Sequence, residues 1–239
     1  MVVHQGRFEG RFPALGAWLA GLAACVFTSA ACANTNLTDT EQRWIAAAQP
    51  VLAYARNAGL PLDIIVQPVV RPEISPLSMA FINGRCKLVL TMRGNPMVER
   101  HLEGVPPALH DVVIEAMTAH ELGHCWRHAR GDWRAFPAGF ARAANAGVQG
   151  GVHSGDVQAQ QREEGFADLV GLAWTRMRHP AHYRQVHAWL TDERLDPGAA
   201  HDTAVWVSLA RDPSAFGSGS TLFEQARVLW EAGLKAGAD

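Results

Sequence analysis

The stretch MTAHELGHCWRH, Met117 to His128, places five residues of zinc-binding types within twelve positions: His120, Glu121, His124, Cys125 and His128. In a helix, residues four apart lie on one face about 6 Å apart, so His120 and His124 can bring two imidazoles to one ion. Glu121, one position on, does not share that ligating geometry but is placed to reach a water on the metal: two ligands and a general base on one helix. The positions around the histidines (Thr118, Ala119, Leu122, Gly123, Cys125) carry no charge, unlike the face of a solvated helix. Gly123 leaves room for a neighbouring backbone. His128 is two turns from His120, about 12 Å away, and is excluded from the same ion; it reads as a solvated or capping histidine.

Around this segment the pattern is α+β. The flanking sequence PPALHDVVIEAMTAHELGHCWRHARG reads as one long helix, with prolines at its start and Gly131 at its end. Upstream, LTDTEQRWIAAAQPVLAYARNAG has a Thr/Asp cap and apolar residues at helical spacing, with a kink expected at Pro50. LPLDIIVQPVV reads as a strand. LSMAFINGRCKLVLTMRGNP holds Asn83-Gly84 between two alternating runs, a hairpin signal whose second strand covers Cys86 to Met92. Downstream, the Gly- and Ala-rich passage FPAGFARAANAGVQGGVHSGD reads as a mobile surface loop, followed by the helix DVQAQQREEGFADLVGLAWTRM and two or three more helices. The expectation is a single domain over 34–239, with about three strands packed on the histidine helix and a mostly helical C-terminal part.

Two histidines need a third protein ligand, with the fourth position left for water. Glu164 and Asp168 share a stripe with the small residues Ala167 and Gly171, opposite a core side of Phe166, Leu169, Val170, Ala173 and Met177. Laid against the histidine helix, Glu164 would bind the metal. Asp168 would accept the N–H of a ligating histidine, His120, and so fix its tautomer. The alternative is that Glu163, Glu164 and Asp168 merely solvate an amphipathic helix. His153, His179, His182 and His187 sit in polar context and read as solvated.

HELGH followed about forty residues later by EGFAD resembles the gluzincin metallopeptidases, the thermolysin-like branch of the zincins, which use HExxH plus a helical ExxxD. The metzincin pattern is excluded, since Arg127 and Arg130 stand where it needs Gly and His. The resemblance covers the two motif helices and the strand before them. It implies a zincin-like fold, a zinc ion (Zn2+) on His120, His124 and Glu164, Glu121 as general base, and a peptide or protein substrate. It also implies an oxyanion-stabilising residue after the third ligand, for which His201 is the candidate and Tyr183 the rival. The rim strand of a zincin cleft runs beside the metal helix, and a Cys86–Cys125 disulfide would tie that strand to it. Two buried free thiols are the other option.

The chain has 239 residues, 48% hydrophobic and 18% charged, with a net charge of −2, which gives no sign of a nucleic-acid partner. At its start, Arg7 and Arg11 precede an apolar run ending Ala31-Cys32-Ala33, the form of a secretory signal peptide over 1–33. Ser29 stands where a lipobox takes Leu, which weighs against a lipoprotein through Cys32. Cleavage removes Arg7, Arg11 and Glu9, moving the net charge from −2 to −3. It leaves Cys86 and Cys125 as the only cysteines of an exported protein, periplasmic or secreted, without stable membrane insertion. Two other readings stay open: a non-catalytic exported zinc-binding or assembly protein, and a cell-wall peptide amidase.

Overall fold

A computed structural model describes residues 37–67, 74–137, 140, 148–149, 152–195, 197 and 199–236. The expected signal peptide and most of the Gly- and Ala-rich passage lie outside the described residues.

Helix α1, Asp39–Asn57, is started by a capping box. Thr38 Oγ1 accepts from the Glu41 backbone N–H, and the Glu41 carboxylate accepts from the Thr38 N–H. That carboxylate is fully buried, and it also receives Nε and Nη2 of Arg93 at 2.8 and 3.0 Å. One side chain thus caps α1 and anchors the segment that leaves the sheet. The helix runs through Pro50 and buries Trp44, Ala48, Val51, Leu52 and Ala55.

Three strands follow: β1, Leu62–Val66; β2, Leu77–Ile82; and β3, Arg85–Leu90. They form a mixed sheet of order β1-β3-β2, with β1 parallel and β2 antiparallel to β3. Asn83 and Gly84, at φ 53° and 73°, make the two-residue turn between β2 and β3; a left-handed pair matches the twist of the flanking strands. The short helix α2, Met97–Arg100, leads to α3, His110–Ala129, which packs on α1 and on the sheet. After the two-residue strands β4, Val148–Gln149, and β5, Val152–His153, comes α4, Ser154–Arg178. Helices α5, Tyr183–Glu193, α6, Ala204–Leu209, and α7, Leu222–Ala236, complete the described fold. The class is α+β with a small three-stranded mixed sheet, and no helix of the described residues is long and apolar enough to cross a membrane.

The contact of α3 with α4 sets up everything that follows. A Cβ on Gly123 would sit 3.0 Å from the Ala167 Cα, and one on Gly171 would sit 2.9 Å from the Ala116 carbonyl oxygen. Glycine at both points lets the two backbones approach until their side chains share one space.

Three expectations and one alternative need correction. Cys86 is joined to Cys125, with Cα atoms 5.6 Å apart, but its strand β3 is the centre of the sheet; the strand at the rim is β2. Glu163 is buried, not solvated, because it receives Nε and Nη2 of Arg127 at 3.0 and 2.8 Å. Met177, read as core, is exposed past the end of the apolar stripe. His179 and His187 are held by partners, Nε2 lying 3.0 Å from a Glu115 carboxylate oxygen and 2.8 Å from the Val207 carbonyl respectively. The side chain of His153 lies outside the described residues.

Candidate metal centre

Between β2, α3, α4 and α5 lies a cleft of about 590 Å³, and along its floor run Met117, His120, Glu121, His124 and His128 of α3. The strand β2 supplies Leu77, Ser78 and Met79 to one wall; α5 supplies Val186, Trp189 and Leu190 to another.

At the centre of this floor three donor atoms converge. His120 Nε2 and His124 Nε2 are 3.1 Å apart, and Glu164 Oε2 lies 3.3 Å from the first and 3.6 Å from the second. A tetrahedral ion roughly 2.0–2.1 Å from each donor requires donor pairs about 3.3 Å apart. The three observed edges bracket that value, so the residues fit an ion without rearrangement. Two imidazoles and one carboxylate are a donor set that suits zinc.

Two of the three donors are aimed by a hydrogen-bonding neighbour. Asp168 Oδ1 lies 2.8 Å from His120 Nδ1, which directs the Nε2 lone pair into the cleft. Asp168 is itself fixed by Arg194, whose Nε and Nη2 donate at 2.8 and 2.7 Å, and by the Thr203 hydroxyl at 2.6 Å. Gln160, one turn before Glu164, donates to Glu164 Oε1 at 2.5 Å and leaves Oε2 facing the histidines. Arg194, Thr203 and Gln160 escape the sequence reading. Only Gln160 leaves a signal there, the four-residue spacing that puts it on the Glu164 face.

Electrostatics match this geometry. Burial lowers the proton affinity of His120, but the hydrogen bonds and charges of Asp168 and Glu164 outweigh it and raise the pKa to about 10. Glu164, despite burial, is held well below the usual carboxylate range by both histidines. Asp168, despite burial, is held low by Arg194 and His120. In the absence of an ion, the two carboxylates keep a proton on His120. Glu121 behaves differently. It is buried, has no hydrogen-bond partner among the described residues, and its pKa is pushed up by that burial.

The remaining candidates separate clearly. His201 lies on the loop before α6, largely exposed, with Nε2 3.6 Å from Glu164 Oε1. Tyr183, the rival, is sealed in the core, where its hydroxyl donates to the Ala210 carbonyl at 2.5 Å. His128 is neither solvated nor a cap: it is a half-buried ring lining the cleft, stacked between Phe81 and Trp133.

No protein-family model, curated protein or solved structure matches this chain.

Proposed function

We propose that this protein is a zinc-dependent metallopeptidase of the gluzincin kind, exported and acting on peptide or protein substrates. The observation that supports this most is the meeting of His120 Nε2, His124 Nε2 and Glu164 Oε2 at tetrahedral spacing, one residue from a buried carboxylate that has no hydrogen-bond partner among the described residues. A bound zinc ion supplies Lewis acidity, polarising the scissile carbonyl and acidifying a water. The chain's own residues do the rest. Glu121, its basicity increased by burial, would accept a proton from the attacking water and return it to the leaving nitrogen. Asp168 holds His120 in the tautomer that leaves Nε2 free. The β2 edge offers backbone N–H and C=O groups to an extended substrate along the cleft. His201, on the exposed loop beside Glu164, is the candidate donor to the developing oxyanion. The Cys86–Cys125 link agrees with an oxidising compartment.

The test is metal content followed by hydrolysis of a peptide library. Wild type is expected to hold one zinc per chain, Glu164→Ala to lose or greatly weaken it, and Glu121→Gln to keep zinc while hydrolysis falls by roughly 10²–10⁴-fold. Full zinc in Glu164→Ala, or undiminished cleavage by Glu121→Gln, would overturn the proposal.

A further inference from the structure

The two histidines of the centre are supported unequally. His120 has Asp168 on its second ring nitrogen, whereas His124 Nδ1 is buried with no hydrogen-bond partner among the described residues. A ligating imidazole is ordinarily oriented by an acceptor on that nitrogen, so something else must fix the His124 ring. Two rings pack against it edge to face: His120, its fellow donor, at 4.7 Å, and from outside the donor set Trp133, with centroids 5.5 Å apart and planes at 75°.

Trp133 is itself held from two sides. Its other neighbour is His128, stacked at 3.9 Å and 14°, and behind His128 lies Phe81 of β2 at 5.1 Å and 10°. The loop carrying Trp133 is tied down by the buried Arg127–Glu163 pair. Arg127 Nη2 also donates to the Ala135 carbonyl at 2.9 Å, and Glu163 Oε1 accepts the Arg134 backbone N–H at 2.9 Å. Arg134 takes a left-handed φ of 60°, uncommon outside glycine, in the residue straight after Trp133. The buried ion pair, whose guanidinium also covers the core rings of Phe166 and Trp230, and the left-handed Arg134 together fix the turn that carries the indole.

The geometry points to Trp133 as the positioning residue of His124, taking by ring packing the part that Asp168 takes by hydrogen bonding for His120. This rests on the metal reading of the site given above. In this arrangement His124 is fixed in angle but not polarised, so its orientation depends on the Trp133 loop staying clamped.

The test uses the full chain with metal ions alone. The zinc dissociation constant is measured by competition with a chromophoric chelator, and the d–d absorption of the Co2+-loaded protein reports ligand geometry. Trp133→Ala is expected to weaken zinc roughly tenfold or more and to alter the cobalt spectrum. Trp133→Phe, which keeps a ring, should recover most of both. A purely structural role would lower the melting temperature of the metal-free protein and leave these two readouts unchanged, and that result overturns the inference. If Trp133→Ala does not fold, wild type labelled with 5-fluorotryptophan serves instead. The Trp133 resonance, assigned with Trp133→Phe, must shift on zinc saturation, and an unmoved resonance overturns the inference. Wild type that binds neither ion removes the metal reading and this one together. Wild type that binds both, with Trp133→Ala indistinguishable from it, removes this one alone.

Discussion

Replacing Asp168 with asparagine exchanges one carboxylate oxygen for an amide nitrogen at a side chain that accepts four hydrogen bonds. Oδ1 faces His120 Nδ1 and Arg194 Nη2; Oδ2 faces Arg194 Nε and the Thr203 hydroxyl. An amide has one accepting oxygen, so two of these partners meet an NH2 group in either orientation. Thr203 can rotate and accept, but Arg194 cannot, and it also loses the counter-charge that offsets its burial. Removing one partner of a buried pair costs about 3–5 kcal/mol. Arg194 keeps 16% of its side chain in contact with water, which places the expected loss near the lower end, about 3 kcal/mol. For a chain of this size that is a fall of about 6–12 °C in melting temperature. Zinc affinity should fall in addition by about 10–100-fold, because His120 keeps an acceptor only in one amide orientation and loses its charged partner in both. Denaturant unfolding of the metal-free protein gives the first quantity and chelator competition the second. Stability within about 1 kcal/mol of wild type together with unchanged zinc affinity would refute the view that Asp168 organises the centre.

Three further outcomes are expected. Because the pKa of His120 is raised from 6.5 to about 10 in the fold, its contribution to the metal-free protein is complete below about 6.5 and is lost as pH climbs toward 10. The melting temperature of the metal-free protein should therefore fall across that window, and zinc binding at pH 7.5 should release about one proton, read by calorimetry in buffers of different ionisation enthalpy; a flat profile with no proton release contradicts the assignment. Opening the Cys86–Cys125 link, which spans a separation of 39 residues, should cost about 4 kcal/mol on the chain-entropy model, measured by denaturant unfolding of the Cys86→Ala/Cys125→Ala double variant. Gly171→Ala should destabilise by about 1–3 kcal/mol through overpacking, because its Cβ would sit 2.9 Å from the Ala116 carbonyl and beside the His120 Cβ. Zinc affinity should drop with it, and a variant as stable as wild type would show that the α3–α4 contact has more slack than the distances imply.

Much of this architecture is readable from local pattern. The one-turn spacing of His120 and His124, the Asn83-Gly84 turn and the small residues facing α3 from α4 all follow from helix and hairpin periodicity. What that reading misses is assembled over distance. Arg194 and Thr203 meet Asp168 from 26 and 35 residues away, and no spacing rule joins them. Glu163 looks like a solvent-facing neighbour of Glu164 until Arg127 of α3 is seen to neutralise it. The parallel pairing of β1 with β3 puts Cys86 in mid-sheet and leaves β2 at the cleft, because strand order depends on how the chain crosses over and not on the composition of any one strand. Trp133 sits in a polar turn whose conformation is imposed by side chains from two helices.

Glu121, which has no hydrogen-bond partner among the described residues, sets two demands on this chain against each other. A buried carboxylate with no hydrogen bond works against folding, since burial favours its neutral form. A neutral residue of the same shape at this position should make the metal-free protein hold together better at neutral pH. Robustness alone would not select this side chain; under the function proposed above, its cost to stability is what keeps a free base beside the metal ligands.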